Sequence, residues 1–169
     1  KAASLAGFPV ENVRSIPSEG TFRVRVDLLA ERVSADRAAG LSPFFVSGNA
    51  GTTNTGAVDD LEALADLAVR ERLWMHVDAA YGGFFLLTER GRAAMAGIGS
   101  ADSVVLDPHK GLFLPYGTGA LLVRDVAALR RAHAAGADYL PHMQEDPGFV
   151  DYCEISPEPS LENLHRVVL

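Results

Sequence analysis

The sequence predicts an α/β fold: a mostly parallel sheet with helices on both faces. Two observations carry this. Short apolar runs of strand length alternate with segments of helical period, in the order strand, helix, strand, helix. The strand runs are nearly continuous in apolar residues, as in parallel sheets covered on both sides.

Taken in order, residues 10–16 and 21–26 read as two short strands joined by a turn that carries Pro17, Ser18 and Gly20. Asp27 can cap a helix running to about residue 39, with Gly40 as its stop. Pro43-Phe44-Phe45-Val46-Ser47 is a strand, followed by the small, polar loop 48–56. Asp59 with Glu62 suggests a capping box, and Leu61, Leu64, Ala65 and Ala68 follow at helical spacing. Residues 73–77 form another buried strand, ending at Asp78, and Tyr81-Gly82-Gly83 breaks the chain. A short helix is expected over 89–96. The strand 103–106 ends before Pro108, and 119–123 is the next strand. Asp125 caps a last helix to about residue 134.

Composition limits the function classes. The 169 residues are 48% apolar and 22% charged, in the range of soluble globular proteins. A net charge of −7 argues against a nucleic-acid surface or an anionic membrane. No apolar run is long enough to span a bilayer, and the start has no signal-peptide core. The single Cys153 excludes an internal disulfide and fits a reducing cytosol. The lack of an initiator methionine and the apolar run that stops at Leu169 lead to the expectation that this is part of a longer chain. No metal site is expected.

In such sheets ligands bind beyond the carboxyl ends of the strands, and three chemical groups fall there. The first is the loop Gly51-Thr52-Thr53, which lacks the Gly-Lys-Ser/Thr ending of a triphosphate-binding loop and by itself reads as an ordinary turn. The second is Asp78 in His76-Val77-Asp78-Ala79-Ala80-Tyr81-Gly82-Gly83. A carboxylate directly after an apolar strand needs a partner. That partner is either an arginine or a backbone cap, or else a cationic ring nitrogen that the small Ala79 and Ala80 would let approach. The third is Lys110 in Ser103-Val104-Val105-Leu106-Asp107-Pro108-His109-Lys110-Gly111, the only lysine besides Lys1. Its apolar neighbours suggest a desolvated, nucleophilic amine, although a snorkelling lysine would look the same. A nucleophilic lysine and a strand-end acid are what pyridoxal phosphate requires. The lysine forms a Schiff base, and the acid keeps the pyridine nitrogen protonated. His109 could stack on the ring or bond the phosphate, or be a satisfied core histidine.

These motifs resemble the group II pyridoxal-phosphate-dependent amino acid decarboxylases, which have the aspartate-aminotransferase fold type I. The resemblance runs from about Lys1 to Ser160. It implies that Lys110 is the Schiff-base lysine, that Asp78 pairs with the pyridine nitrogen and that Ala80 packs on the ring. It also implies that Thr53 contacts the cofactor and that His109 lies near its phosphate.

Residues 135–154 hold about twenty residues of Gly, Pro, Asp and scattered aromatics without periodicity, the mark of a functional lid or a disordered linker. The family has a mobile lid there. Tyr139 matches the lid tyrosine that protonates the substrate carbon after carbon dioxide leaves. The implied layout is a cofactor-binding large domain over 1–134, a lid over 135–154, and over 155–169 the start of a segment leading to a small domain.

The resemblance further implies a cytoplasmic homodimer with active sites at its interface. The substrate would be a small-molecule L-amino acid, aromatic or related. An aminotransferase, a carbon–carbon lyase or a non-catalytic fragment of such an enzyme are the alternatives. Two departures stand out. Asp107 replaces an asparagine that several relatives place near the phosphate, where a carboxylate would repel it. The ring-stacking histidine would lie before Lys1.

Overall fold

A computed structural model describes residues 2–18, 20–133 and 166–167. The elements in chain order are α1 (Ala2–Leu5), α2 (Val26–Ala38), β1 (Phe45–Asn49), α3 (Leu61–Glu71), β2 (Trp74–Asp78), α4 (Glu89–Ala94), β3 (Ser103–Leu106), α5 (Pro108–Gly111), β4 (Gly119–Val123), α6 (Val126–His133) and β5 (Arg166–Val167). The five strands form one sheet in the order β1-β2-β3-β4-β5. β1, β2 and β3 run parallel, β4 is antiparallel to β3, and β5 is parallel to β4. The α/β class and the mostly parallel sheet therefore hold, with one antiparallel pairing that the sequence reading did not foresee.

Strand alternation decides which residues meet α3. Val46 and Gly48 of β1 pair with Met75 and Val77 of β2, and all four are buried. Leu61, Leu64, Ala65, Leu67 and Ala68 of α3 are buried and belong to the same apolar core as Val46, Met75 and Val77. The fit is close at Gly48, where a Cβ would lie 2.7 Å from Leu64 Cδ1. The opposite face carries Phe45, which is 49% exposed, with Trp74 and His76 half-buried.

Four local expectations are corrected. Residues 10–16 do not form a strand: Val10–Asn12 is a single 3-10 turn, and Val10 and Val13 are exposed. Residues 21–26 contribute only one bridge, Ser18 with Val24. Ile16, Val24 and Val26 are half-buried and the other described residues of 10–26 are exposed, so this segment buries too little apolar surface to hold an extended ladder. Helix α2 starts at Val26 with Arg25 as its cap, and Asp27 sits in the first turn and pairs with Arg25. The cap of α3 is Asp60, which accepts from Ala63 N at 3.0 Å. Asp59 does different work. It is buried and accepts from Val24 N (2.8 Å) and Asn49 N (2.7 Å), tying the early loop to the end of β1. A buried carboxylate is tolerated because backbone donors saturate it.

Candidate active site

The loops that leave the carboxyl ends of β1, β2 and β3 are bound to one another. After β1, Ala50 N donates to Asp78 O at 2.8 Å. The chain then turns at Gly51, whose φ of +87° suits glycine. A Cβ on Gly51 would lie 2.6 Å from Gly82 Cα, so the first and second loops meet backbone to backbone. After β2, Ala79 N donates to Val105 O (3.1 Å), and Asp107 N donates to Ala80 O (3.2 Å). The second loop is thereby fastened to the start of the third.

Asp78 ends β2 beside Asn49 of β1 and Val105 of β3. Its Oδ1 accepts from Ala80 N at 3.1 Å, a local turn that fixes the carboxylate, and the residue remains exposed. Ala79 is fully buried, Ala80 is half-buried, and Gly82 and Gly83 are buried. The two residues after Asp78 carry only methyl side chains, and of these Ala80 is the partly exposed one.

Pro108 opens α5, one turn that carries His109 and Lys110. Proline suits a first helical position because its ring presets φ and its missing N–H is not needed. His109 Nδ1 lies 2.5 Å from Thr118 O, and a carbonyl only accepts, so Nδ1 carries the hydrogen. The ring packs against Tyr116, with centroids 5.0 Å apart. Lys110 departs from the expectation of apolar burial. Its side chain is 36% exposed, and Nζ is paired with Asp107 Oδ2 at 2.7 Å. The apolar residues after it do not cover it: Leu112, Phe113 and Leu114 are themselves exposed. Asp107 is thus turned to the lysine, a partnership the sequence reading missed. The i, i+3 spacing on one helical turn was the available signal.

A second missed group lies below Asp78 on the same face of β2. Trp74 Nε1–H donates to Ser103 Oγ at 2.9 Å. The same Ser103 hydroxyl oxygen shares a hydrogen bond with His76 Nδ1 at 2.8 Å. The His76 ring stacks on Phe45 at 6.0 Å. Burial pushes the His76 imidazole below the ordinary histidine value, and the nearby Asp78 charge opposes that shift. The period-2 pattern of a strand, which places His76 and Asp78 on one face, was legible in the sequence.

The predicted residues therefore divide. Asp78, Ala80, His109 and Lys110 lie on two loops joined by the Asp107–Ala80 bond. Thr53 is exposed in the loop whose base touches Gly82. Tyr139 and the 135–154 segment fall outside the described residues. Among the described residues no group of three or more His, Cys, Asp or Glu could hold a metal ion. One primary amine, one exposed strand-end carboxylate and a small-residue platform make a donor set that fits pyridoxal phosphate.

A family model described as the pyridoxal-dependent decarboxylase conserved domain matches residues 1–153. This chain belongs to the pyridoxal-dependent decarboxylase family. It is similar to the aromatic-L-amino-acid decarboxylase of Bacillus atrophaeus, at 41% identity over 140 residues, which is 83% of this chain and 29% of that protein. It is 40% identical over 141 residues to the cysteine sulfinic acid decarboxylase of Rattus norvegicus, again 83% of this chain and 29% of that protein. A crystal structure of Oryza sativa TDC with PLP and tryptamine superposes with a TM-score of 0.78 at 32% identity, covering 93% of this chain and 33% of that one. The chain thus spans about a third or less of these relatives' lengths. Pyridoxal-dependent decarboxylases of fold type I set the frame for its sheet, and pyridoxal phosphate is the family's cofactor.

Proposed function

We propose that the protein containing this chain decarboxylates an L-amino acid, aromatic or related, to its amine and carbon dioxide, with pyridoxal phosphate held by Lys110. The observation that carries this reading is the fastening of the Asp78 loop to the Lys110 turn through Asp107 N and Ala80 O, in a chain of this family. When bound, pyridoxal phosphate supplies an aldehyde for a lysine amine and a pyridine ring that takes up the electron pair released at the substrate's α-carbon.

The chain's own residues do the rest. Lys110 supplies the amine on the one-turn helix. Asp78 keeps a negative charge at the strand end, where a protonated ring nitrogen would be stabilised. Ala80 offers a small surface for the ring face. His109, with its hydrogen on Nδ1 held by Thr118 O, presents Nε2 at the same loop. Thr53 is proposed to reach the cofactor from the first loop. Tyr139 is proposed to return a proton to the α-carbon, from a lid over 135–154 that closes a large domain of 1–134 and leads through 155–169 to a small domain.

A homodimer that shares its active sites is part of this reading. It is supported by the exposure of Phe113 and Tyr116, each 93%, beside the Lys110 turn. A cytoplasmic place is supported by the single Cys153. No helix among the described residues is long and apolar enough to cross a membrane.

The test is product analysis. The intact protein, given pyridoxal phosphate and a panel of aromatic and acidic amino acids, is expected to release carbon dioxide and form the matching amine, and Lys110→Ala to form none. A keto acid without carbon dioxide would indicate an aminotransferase instead, and full turnover by Lys110→Ala would remove the assignment.

A further inference from the structure

We propose that Asp107 is the resting partner of the Lys110 amine: in the cofactor-free protein its carboxylate holds Nζ as an ammonium, and this pair has to open before Nζ can condense with an aldehyde. The inference rests on the reading of Lys110 as the cofactor lysine. It adds a residue whose charge governs how readily that lysine reacts.

The geometry is specific. Asp107 Oδ2 lies 2.7 Å from Lys110 Nζ, the length of a charge-assisted hydrogen bond. The carboxylate is the more buried partner, with its side chain 17% exposed against 36% for the lysine. Its backbone is fixed on both sides: Asp107 N donates to Ala80 O, and Asp107 O accepts from Lys110 N at 2.9 Å. Proline at the next position restricts Asp107 to extended backbone, and its φ of −114° and ψ of 100° lie there. The backbone of the acid is therefore held in place, and the lysine is the longer and more exposed side chain of the pair. His109 Nε2 stands 4.0 Å from the same Oδ2, so the carboxylate faces basic groups on two sides.

An ammonium bound to a carboxylate has no lone pair to offer a carbonyl carbon. For condensation one N–H bond breaks and the proton passes to water, which reaches the partly exposed Nζ, or to Oδ2. The freed amine then adds to the aldehyde and one water leaves. No oxidant or reductant is involved. The carboxylate thus competes with the aldehyde for Nζ. An asparagine at this position would keep the shape and remove the competition.

The test reads the lysine directly. The intact protein is freed of cofactor and treated at neutral pH with limiting acetic anhydride, and acetylation of Lys110 is measured by peptide mass spectrometry. Lys1, the only other lysine of these 169 residues, serves as internal reference. Asp107→Asn is expected to raise the Lys110-to-Lys1 ratio about two- to fivefold, the range set by a partly exposed ion pair. Salt at about 1 M is expected to raise the wild-type ratio toward that of Asp107→Asn, because it screens such pairs, and to leave the variant unchanged. An Asp107→Asn ratio equal to or below wild type overturns the proposal. So does a wild-type ratio that does not respond to salt, a result that needs no variant to fold. Labelling after adding back pyridoxal phosphate separates the two readings: failure of the cofactor to protect Lys110 counts against its role as cofactor lysine and leaves the ion-pair result standing.

Discussion

Gly51 and Gly82 are in backbone contact: a methyl group built on Gly51 would lie 2.6 Å from the Gly82 α-carbon. Gly82 has φ −86° and ψ −16°, which any residue adopts, so space and not conformation demands glycine there. Gly82→Ala is expected to force the first and second strand-end loops apart and to cost about 1–3 kcal/mol, as overpacking does. Urea unfolding measures the loss. Unchanged stability with unchanged cofactor affinity would show that the loops need not touch.

Asp78→Asn keeps an acceptor for Ala80 N and removes the charge. If that charge stabilises a protonated ring nitrogen, amine formation by the intact protein falls about a hundredfold or more, the scale of losing one electrostatic stabiliser. The thermal midpoint should move little, since the residue is exposed. Turnover near wild type would leave Asp78 as a turn-former only.

His76 predicts a pH dependence of stability. Its folded value lies below the ordinary 6.5 because burial disfavours the imidazolium. The unfolded chain therefore takes up the proton first as pH falls. Stability is fully present above about 6.5 and declines from there down to the folded value. Lowering the pH from about 7.5 to about 5.5 should reduce the wild-type urea midpoint more than that of His76→Gln, which cannot titrate. Parallel losses in the two proteins would contradict this.

Asp59 and Asp60 are adjacent acids with unequal roles. Asp60→Ala removes a helix cap and should cost about 1 kcal/mol. Asp59→Ala leaves Val24 N and Asn49 N without their acceptor and should cost more, about 1–3 kcal/mol for each group left unsatisfied. Comparing the two unfolding curves checks the order, and a larger loss at Asp60 would reverse it.

Most of the sheet was legible in the sequence because its signals are local. The run 119–123 is β4 residue for residue, and 73–77 is offset from β2 by one position. The placement of Asp78 at the end of a strand, and of His109 and Lys110 just after one, was legible because the apolar runs stop there. Tertiary effects hid the rest. Residues 10–16 have strand-like composition, but all except Ile16 are exposed. Asp59 resembles a cap, and only the folded chain brings Val24 N to it. The apolar run 112–114 suggested cover for Lys110, yet Phe113 takes a φ of +56° and stands exposed. The i, i+3 spacing of Asp107 and Lys110 allowed their pairing, but only the folded chain decides which way the carboxylate turns.

The proposed function stands on Lys110 as the residue that takes the cofactor. Borohydride reduction of the intact protein with pyridoxal phosphate bound, followed by peptide mapping, tests it most directly. A pyridoxyl group is expected on the Lys110 peptide, with loss of the visible absorbance in Lys110→Ala. A pyridoxyl group on any other lysine, with Lys110 unmodified, would contradict it.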